Sequence, residues 1–250
     1  MLDEATPHLR SEKHDGVMTL TIDRVEKKNA MTQDMYLALA AGLQAADDDA
    51  EVGAAILTGA GGVFTAGNDL KDFLAAGIGQ GPGAAMKLLD TVATIDVPLV
   101  AAVEGPAIGI GATILLHCDY AYAGPTALFK TPFVDLALCP EGASTLLMPE
   151  MIGKRATNDF LMLGKAFSAE EAAACGLVSG VAADPLTTAM ETAKALAAKP
   201  RDAQRATKRL IRQARGTAVT DTFSREAKVF AERLVSDEAR AVFQQFFARG

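Results

Sequence analysis

The sequence is poor in the residues that bind metals and cross-link secreted proteins. Its 250 residues include three cysteines and three histidines, and no two cysteines form a CxxC pair. Zinc sites and disulfide frameworks need such residues in pairs or clusters. We therefore predict neither a bound metal ion nor a disulfide framework. The adjacent His117 and Cys118 are expected instead to close a helix before a strand.

Positive charge and long hydrophobic runs are also scarce. The formal net charge is −7 and the pI is about 5.0, so no basic field is available to bind nucleic acid or anionic lipid. Glycine, proline or charged residues interrupt the apolar stretches before they reach membrane-spanning length. Residues 1–13 are polar and mixed in charge, unlike a signal or transit peptide. We expect a cytoplasmic protein that binds neither nucleic acid nor membrane.

Aromatic residues make up only 6% of the chain, but half of the residues are hydrophobic, which is enough for one large core. Residues 52–58 (VGAAILT) and 99–103 (LVAAV) are continuous apolar runs, typical of strands covered on both faces. Residues 16–23 and 119–123 also favour strands, and a helical pattern begins at Thr32. This alternation predicts an α/β fold.

The last third of the chain has a helical pattern, interrupted only by a short extended segment at residues 177–181. We divide the chain into a core, residues 1–195, and a C-terminal helical region, residues 196–250. One helix of that region carries six basic residues: Arg201, Arg205, Lys208, Arg209, Arg212 and Arg215. They could form a solvated helix face, or some could contact the phosphates of a cofactor.

Two glycine-rich segments follow predicted strands and lead into helices. They are residues 61–70 (GGVFTAGNDL) and residues 104–114 (EGPAIGIGATI). The first lacks the Lys-Ser/Thr pair of a phosphate loop and the spacing of GxGxxG, so it is a poor nucleotide site. Gly109 and Gly111 could serve only to let a helix approach a sheet. If the N–H groups of the two loops converge, they form an oxyanion hole, which stabilises negative charge on a carbonyl oxygen.

A carboxylate stands in a third segment, residues 127–149, where Pro140-Glu141-Gly142 precedes an apolar helix. Glu141 could be a first-turn residue favoured by the helix dipole. Alternatively it could be a catalytic base. Apolar neighbours such as Leu138 would disfavour its charged form and make it a stronger base for a carbon acid.

Together these segments resemble the crotonase superfamily of enoyl-CoA hydratases and isomerases. The order AGNDL, AAVEGPAIGIG, a short strand with Cys118-Asp119, then TPF and a Pro-Glu-Gly turn is similar to that family across nearly the whole chain. The resemblance implies a crotonase-like spiral of ββα repeats. It also implies that residues 196–250 form a helical trimerisation region that closes the active site, giving a homotrimer or a dimer of trimers.

The resemblance also implies an acyl-CoA substrate, with coenzyme A as part of the substrate and no permanently bound cofactor. By position, the oxyanion donors would be the backbone N–H groups of Asn68 and Ile110. Ile110 stands where the family usually has glycine, but it keeps its N–H. The residues expected to contact CoA are Lys27, Lys28, Ala30, Ala66, Asp69 and Leu70.

The acid–base residues depart from the hydratases of this family. Hydratases use two glutamates, and the corresponding positions here are Thr113 and Phe133, neither of which transfers a proton at neutral pH. Glu141 instead stands where Δ3,Δ2-enoyl-CoA isomerases of the peroxisomal type carry their base. We therefore expect Glu141 to be catalytic, and Thr113, Phe133 and Leu138 to line the substrate pocket.

Two alternatives remain open. One is hydration or another crotonase-type reaction, such as ring-opening isomerisation, dehalogenation or hydrolysis, in which Glu141 or Asp135 acts differently on the same enolate. The other is a non-catalytic acyl-CoA-binding domain. The glycine-rich segment at residues 77–83 (GIGQGPG) is a candidate lid or channel wall.

Overall fold

The computed structural model describes residues 8–75 and 83–248, so the predicted lid lies outside the described residues except for Gly83. Six strands form one sheet in the order β1-β2-β3-β4-β6-β9, and three form a second sheet in the order β5-β7-β8. The strands are β1 (Leu9–His14), β2 (Val17–Ile22), β3 (Ala54–Gly59), β4 (Leu99–Val103), β5 (Pro106–Ile108), β6 (Tyr120–Ala123), β7 (Leu128–Lys130), β8 (Phe167–Ser168) and β9 (Gly180–Val181).

The helices cover the large sheet and extend beyond it. They are α1 (Gln33–Asp48), α2 (Leu70–Ala75), α3 (Ala84–Thr94), α4 (Ile110–Thr113), α5 (Ser144–Ile152), α6 (Lys154–Leu161), α7 (Ala169–Cys175), α8 (Pro185–Ala197), α9 (Arg201–Gln213), α10 (Ala218–Leu234) and α11 (Asp237–Ala248). No helix among the described residues is long and apolar enough to cross a membrane.

The central strands β3 and β4 of the large sheet are buried on both faces, as their apolar runs predict. Ala55 and Leu57 of β3 belong to the main core, which includes residues of α1 and α3. Their neighbours Ala54 and Ile56 point to the other face and pack with Ala189 of α8. Because side chains alternate along a strand, a run without polar residues is what such double coverage requires.

The second sheet was not predicted, because its strands have only two or three residues and show no usable periodicity. Its strands alternate with those of the large sheet along the chain. β4 is followed by β5 and a helix, and β6 is followed by β7 and further helices. This is the expected ββα repeat. Strand β1 was missed as well, since its sequence LRSEKH is mostly polar and lies at the sheet edge.

Several predicted helix boundaries are confirmed. Thr32 caps α1, its hydroxyl accepting the N–H of Met35. After α4 the chain continues as a 3-10 helix, Ile114–His117, and Cys118 is extended before β6. His117 and Cys118 therefore close a helix before a strand, as expected.

The basic residues of α9, and Arg215 just after it, contact other parts of the protein, a role that neither interpretation drawn from the sequence included. Arg205 and Lys208 lie 2.7 Å from carboxylates of α1 and of the segment before β6, and Asp96, just before β4, accepts from two arginines. The pairs are Arg205 with Asp47, Lys208 with Asp119, Arg209 and Arg212 with Asp96, and Arg215 with Glu150. Arg201 donates to the carbonyls of Asp47 and Asp49. Asp96 and Asp119 precede their strands, so α9 docks at the amino ends of the sheet.

We expect Asn29→Ala to lower the free energy of unfolding by about 3 kcal/mol or more. Asn29 is fully buried, with φ +56°. Its amide donates to the carbonyls of Ala60 and Val63 and accepts the N–H of Arg24. Alanine would leave these groups unpaired in a backbone conformation that it disfavours. Urea denaturation at a fixed protein concentration measures the loss.

The matched control for this substitution is Asn158→Ala. Asn158 is exposed on α6, where alanine is a better helix former, so no loss of stability is expected. A loss below about 1 kcal/mol in Asn29→Ala would mean that these hydrogen bonds do not hold the segment.

Candidate active site

Three chain segments meet at the carboxyl edge of the large sheet. Strands β2, β3 and β4 are parallel neighbours, and they end at Ile22, Gly59 and Val103. The segments that follow them carry the predicted CoA residues and both predicted oxyanion donors. Ligands of open parallel sheets bind at this edge, beyond the carboxyl ends of the strands.

The first two segments are joined by backbone hydrogen bonds. The N–H of Ala66 donates to Lys28 at 3.0 Å, and the Thr65 hydroxyl donates to the carbonyl of Asn29 at 2.7 Å. The predicted CoA residues are thereby brought together: Lys27, Lys28 and Ala30 on one segment, and Ala66, Asp69 and Leu70 on the other. Lys27 and Lys28 are exposed.

The side chain of Asp69 is occupied within the protein. One carboxylate oxygen lies 2.9 Å from Arg24, and the other accepts the N–H groups of Lys71 and Asp72 at the start of α2. Burial opposes the charged form of Asp69, but the hydrogen bonds from Arg24 and from these N–H groups lower its pKa below the ordinary value. The carboxylate of Asp69 is therefore not free to bind a ligand.

The N–H of Asn68 faces away from the neighbouring segment. Met31 and Asn68 form a parallel bridge, in which the N–H of Met31 donates to Gly67 and the N–H of Asp69 donates to Met31. In this pattern the middle residue's own N–H points to the opposite side. The Asn68 side chain is fixed separately, since the Tyr36 hydroxyl donates to its amide oxygen at 2.6 Å.

The second loop carries Ile110 as the first residue of α4, so its N–H has no acceptor within the helix. Gly109 before it has φ +58° and ψ −119°, a conformation that only glycine adopts readily. The two loops touch. A Cβ on Gly67 would lie 2.7 Å from the carbonyl oxygen of Ile108, so glycine permits this approach. The contact between the loops is the arrangement that an oxyanion hole would require.

Glu141 lies in a turn before α5, not in its first turn, so the helix-dipole interpretation is wrong. The carbonyl of Glu141 accepts the N–H of Ser144 at 3.2 Å. Between them Gly142 and Ala143 have φ values of +73° and +53°, as in a type I′ turn. The helix begins only at Ser144.

Burial and one hydroxyl govern the charge of Glu141. Burial raises the pKa of its carboxyl to about 7, opposed by a hydrogen bond from Thr113 at 2.5 Å and assisted by the negative charge of Glu226. The carboxyl is desolvated although the residue as a whole is only partly buried. The direction is the one expected from the sequence. Thr113 thus contacts Glu141 directly.

The two remaining pocket residues lie in a separate apolar cluster. Phe133 and Leu138 are buried together with Phe243 of α11, and Leu70 packs against the same group. The C-terminal helices therefore cover this wall. Asp135, considered as an alternative acid–base residue, is half-exposed and lies 2.9 Å from Lys130.

Three residues at the site were missed from the sequence. Arg24 binds Asp69 and also donates to the carbonyl of Ala30. Tyr36 lies within a regular helical pattern and has no sequence signal other than its polar hydroxyl on an apolar helix face. Glu226 reaches the Glu141 turn from α10, across 83 residues of sequence. No local motif could have indicated that contact.

A large cavity lies away from these residues. It measures about 760 Å³ and opens between α9, α10 and the segment from His117 to Tyr120. Its walls include Ile211, Val219 and Phe223. It is therefore not the space beside Glu141.

Comparisons with known proteins agree with this geometry. The sequence model described as enoyl-CoA hydratase/isomerase matches residues 12–250. A Mycobacterium tuberculosis protein named probable enoyl-CoA hydratase EchA14 is 36% identical over 247 residues, covering 96% of this chain and 93% of that protein. Enoyl-CoA delta isomerase 2 of Rattus norvegicus is 33% identical over 242 residues, covering 94% of this chain and 62% of the rat protein.

A solved structure shows the same architecture. The crystal structure of an enoyl-CoA hydratase/isomerase from Pseudoalteromonas atlantica has a TM-score of 0.92 at 37% identity and covers 97% of both chains. The crotonase-type fold expected from the sequence is thereby confirmed. The names of the relatives include both a hydratase and an isomerase. The fold, the loops at the sheet edge and the matches lead to one conclusion: the chain belongs to the enoyl-CoA hydratase/isomerase family of acyl-CoA enzymes.

Proposed function

We propose that this protein is a Δ3,Δ2-enoyl-CoA isomerase in which Glu141 is the base. The observation that carries the proposal is the surroundings of Glu141. A desolvated carboxyl whose pKa is raised to about 7 is matched to proton transfer at neutral pH. Its hydrogen-bond partner is the Thr113 hydroxyl rather than a second carboxyl.

In the proposed mechanism Glu141 removes a proton from carbon 2 of a 3-enoyl thioester. The electron pair moves toward the thioester oxygen, which accepts hydrogen bonds from the N–H groups of Asn68 and Ile110. The double bond shifts to carbon 2 as Glu141 returns the proton to carbon 4. No water is consumed, so one carboxyl is sufficient. The residues proposed to hold CoA are Lys27, Lys28, Ala30, Ala66, Asp69 and Leu70.

Hydration is the second candidate, favoured by the name of the Mycobacterium tuberculosis relative. Adding water across a double bond needs one group to activate the water and another to protonate carbon 2. Thr113 and Phe133 stand where the resemblance predicts the two glutamates of a hydratase. With Glu141 as the one carboxyl proposed to act, isomerisation fits the residues better than hydration.

Glu141→Gln should abolish isomerisation while acyl-CoA still binds. We expect wild type to conjugate the double bond of trans-3-hexenoyl-CoA and to hydrate crotonyl-CoA negligibly. The variant should lose roughly 10²–10⁴-fold in kcat, because the amide cannot accept the proton. Absorbance assays on both substrates follow the reactions, and calorimetric titration with the acyl-CoA measures binding.

Glu191→Gln is the matched control, since Glu191 is exposed on α8 and lies away from the site. It should retain wild-type activity. Efficient hydration of crotonyl-CoA would instead favour the second candidate. Tight binding of acyl-CoA with no turnover of either substrate would indicate a non-catalytic binding domain.

The rate should depend on pH through Glu141. Its pKa is raised to about 7, so the base form is lost as the pH falls below 7, and kcat/KM should fall about tenfold per pH unit there. Because the Thr113 hydroxyl lowers that pKa, Thr113→Val should move the acid limb of the pH–rate profile, where kcat/KM falls with falling pH, to higher pH. Profiles from pH 5 to 9 with one 3-enoyl-CoA test both. A limb near the ordinary value of 4.5 in wild type would contradict the assignment.

We also propose a homotrimer or a dimer of trimers working in the cytoplasm. Leu210 and Ile211 on α9 are each about two-thirds exposed, as apolar residues at an interface would be in an isolated chain. All three cysteines are free thiols, which suits a reducing compartment. Sedimentation equilibrium at low micromolar concentration should give a mass of three or six chains. A monomer under these conditions would refute the assembly without affecting the chemistry.

A further inference from the structure

A second glutamate holds the turn that carries Glu141. Glu226 lies on α10 and is only 6% exposed. One of its carboxylate oxygens accepts the N–H of Ala143 at 2.7 Å. The other accepts both the N–H and the hydroxyl of Thr145, at 3.0 and 2.6 Å. All three partners donate, so the arrangement is complete only when Glu226 is an acceptor on both oxygens.

The turn held in this way is strained. Ala143 is fully buried and has φ +53°, a left-handed conformation that is unfavourable for a residue with a Cβ. Its N–H points to Glu226, and the carbonyl of the preceding Gly142 lies 2.8 Å from Nε2 of His117. The backbone between Glu141 and α5 is therefore fixed from both sides by side chains of other elements.

We propose that Glu226 is a positioning residue for Glu141, acting through the backbone of Ala143 and Thr145 and through its own negative charge. The hydrogen bonds keep the turn in its left-handed conformation, which aims the Glu141 carboxyl at Thr113. The charge disfavours the ionised form of Glu141. This inference rests on the proposed role of Glu141 as the base.

Few other charges face the pair. Arg225 on α10 acts on Glu226, and Cys139 before the turn contacts the carbonyl of Glu226. Burial raises the pKa of Cys139 to about 11 and lowers that of His117 to about 4, while burial raises the pKa of Tyr36 well above its ordinary value. These three are neutral near pH 7. Among the described residues, Arg225 acts on Glu226, whose own pKa is raised by burial, and Arg233 acts on Cys139.

The substitution Glu226→Gln distinguishes the proposed positioning role of Glu226 from a role in packing alone. It has the shape of glutamate, but its NH2 group would face either the N–H of Ala143 or the donors of Thr145. One set of hydrogen bonds must therefore be lost. The charge is lost as well, which removes a cause of the raised pKa of Glu141.

The experiment compares wild type, Glu226→Gln and Glu232→Gln in the full-length protein with a 3-enoyl-CoA substrate. Glu232 is exposed on the same helix, so its variant should match wild type. Glu226→Gln should lose at least tenfold in kcat with KM within threefold. Its acid limb should move to lower pH. Thermal unfolding and CoA titration verify that the variant is folded. A folded variant with unchanged kcat and an unchanged limb overturns the proposal.

A second measurement does not depend on turnover. Infrared difference spectra across pH report the titration of the Glu141 carboxyl, which is assigned by its absence in Glu141→Gln. In Glu226→Gln this titration should shift to lower pH, and a crystal structure should show Ala143 outside the left-handed region. If wild type proves inactive, the proposed function fails, but these readouts still test the role of Glu226. An unchanged titration and turn would refute it.

Discussion

Parallel pairing of β2, β3 and β4 brings the three segments that follow these strands to one edge of the large sheet, and these segments carry the predicted CoA residues and oxyanion donors of the candidate site. The loops are then fixed against one another by backbone hydrogen bonds, as between Ala66 and Lys28, and by close contact of Gly67 with Ile108. A shift of one residue in any of the three strands would displace the N–H groups that the site requires. Strand register therefore sets the geometry of the chemistry.

The sequence predicted the parts of this arrangement that depend on local pattern. Continuous apolar runs indicated β3 and β4, the glycines indicated the loops that follow them, and Pro140-Glu141-Gly142 indicated a turn with a carboxylate. The resemblance to crotonases added the order and the fold. Short strands such as β5 were missed because three residues show no periodicity.

Contacts between distant segments could not be predicted in the same way. The six basic residues between Arg201 and Arg215, five of them on α9, were assigned to solvent or to phosphate because helical spacing does not reveal what a helix packs against. The same holds for Glu226, which resembles any other helical glutamate until α10 is seen to pack on α5. Burial and hydrogen-bond partners distinguish it from Glu232, and both are properties of the folded chain.

Docking of α9 has a consequence for how the protein is made. Its partners Asp47 and Asp96 are synthesised 158 and 116 residues before Arg205 and Arg212 bind them. Until then the amino edge of the sheet carries carboxylates without their partners, and contacts of such long sequence separation form late. During translation the strands of the sheet are therefore synthesised before α9, and these carboxylates are neutralised only when α9 docks.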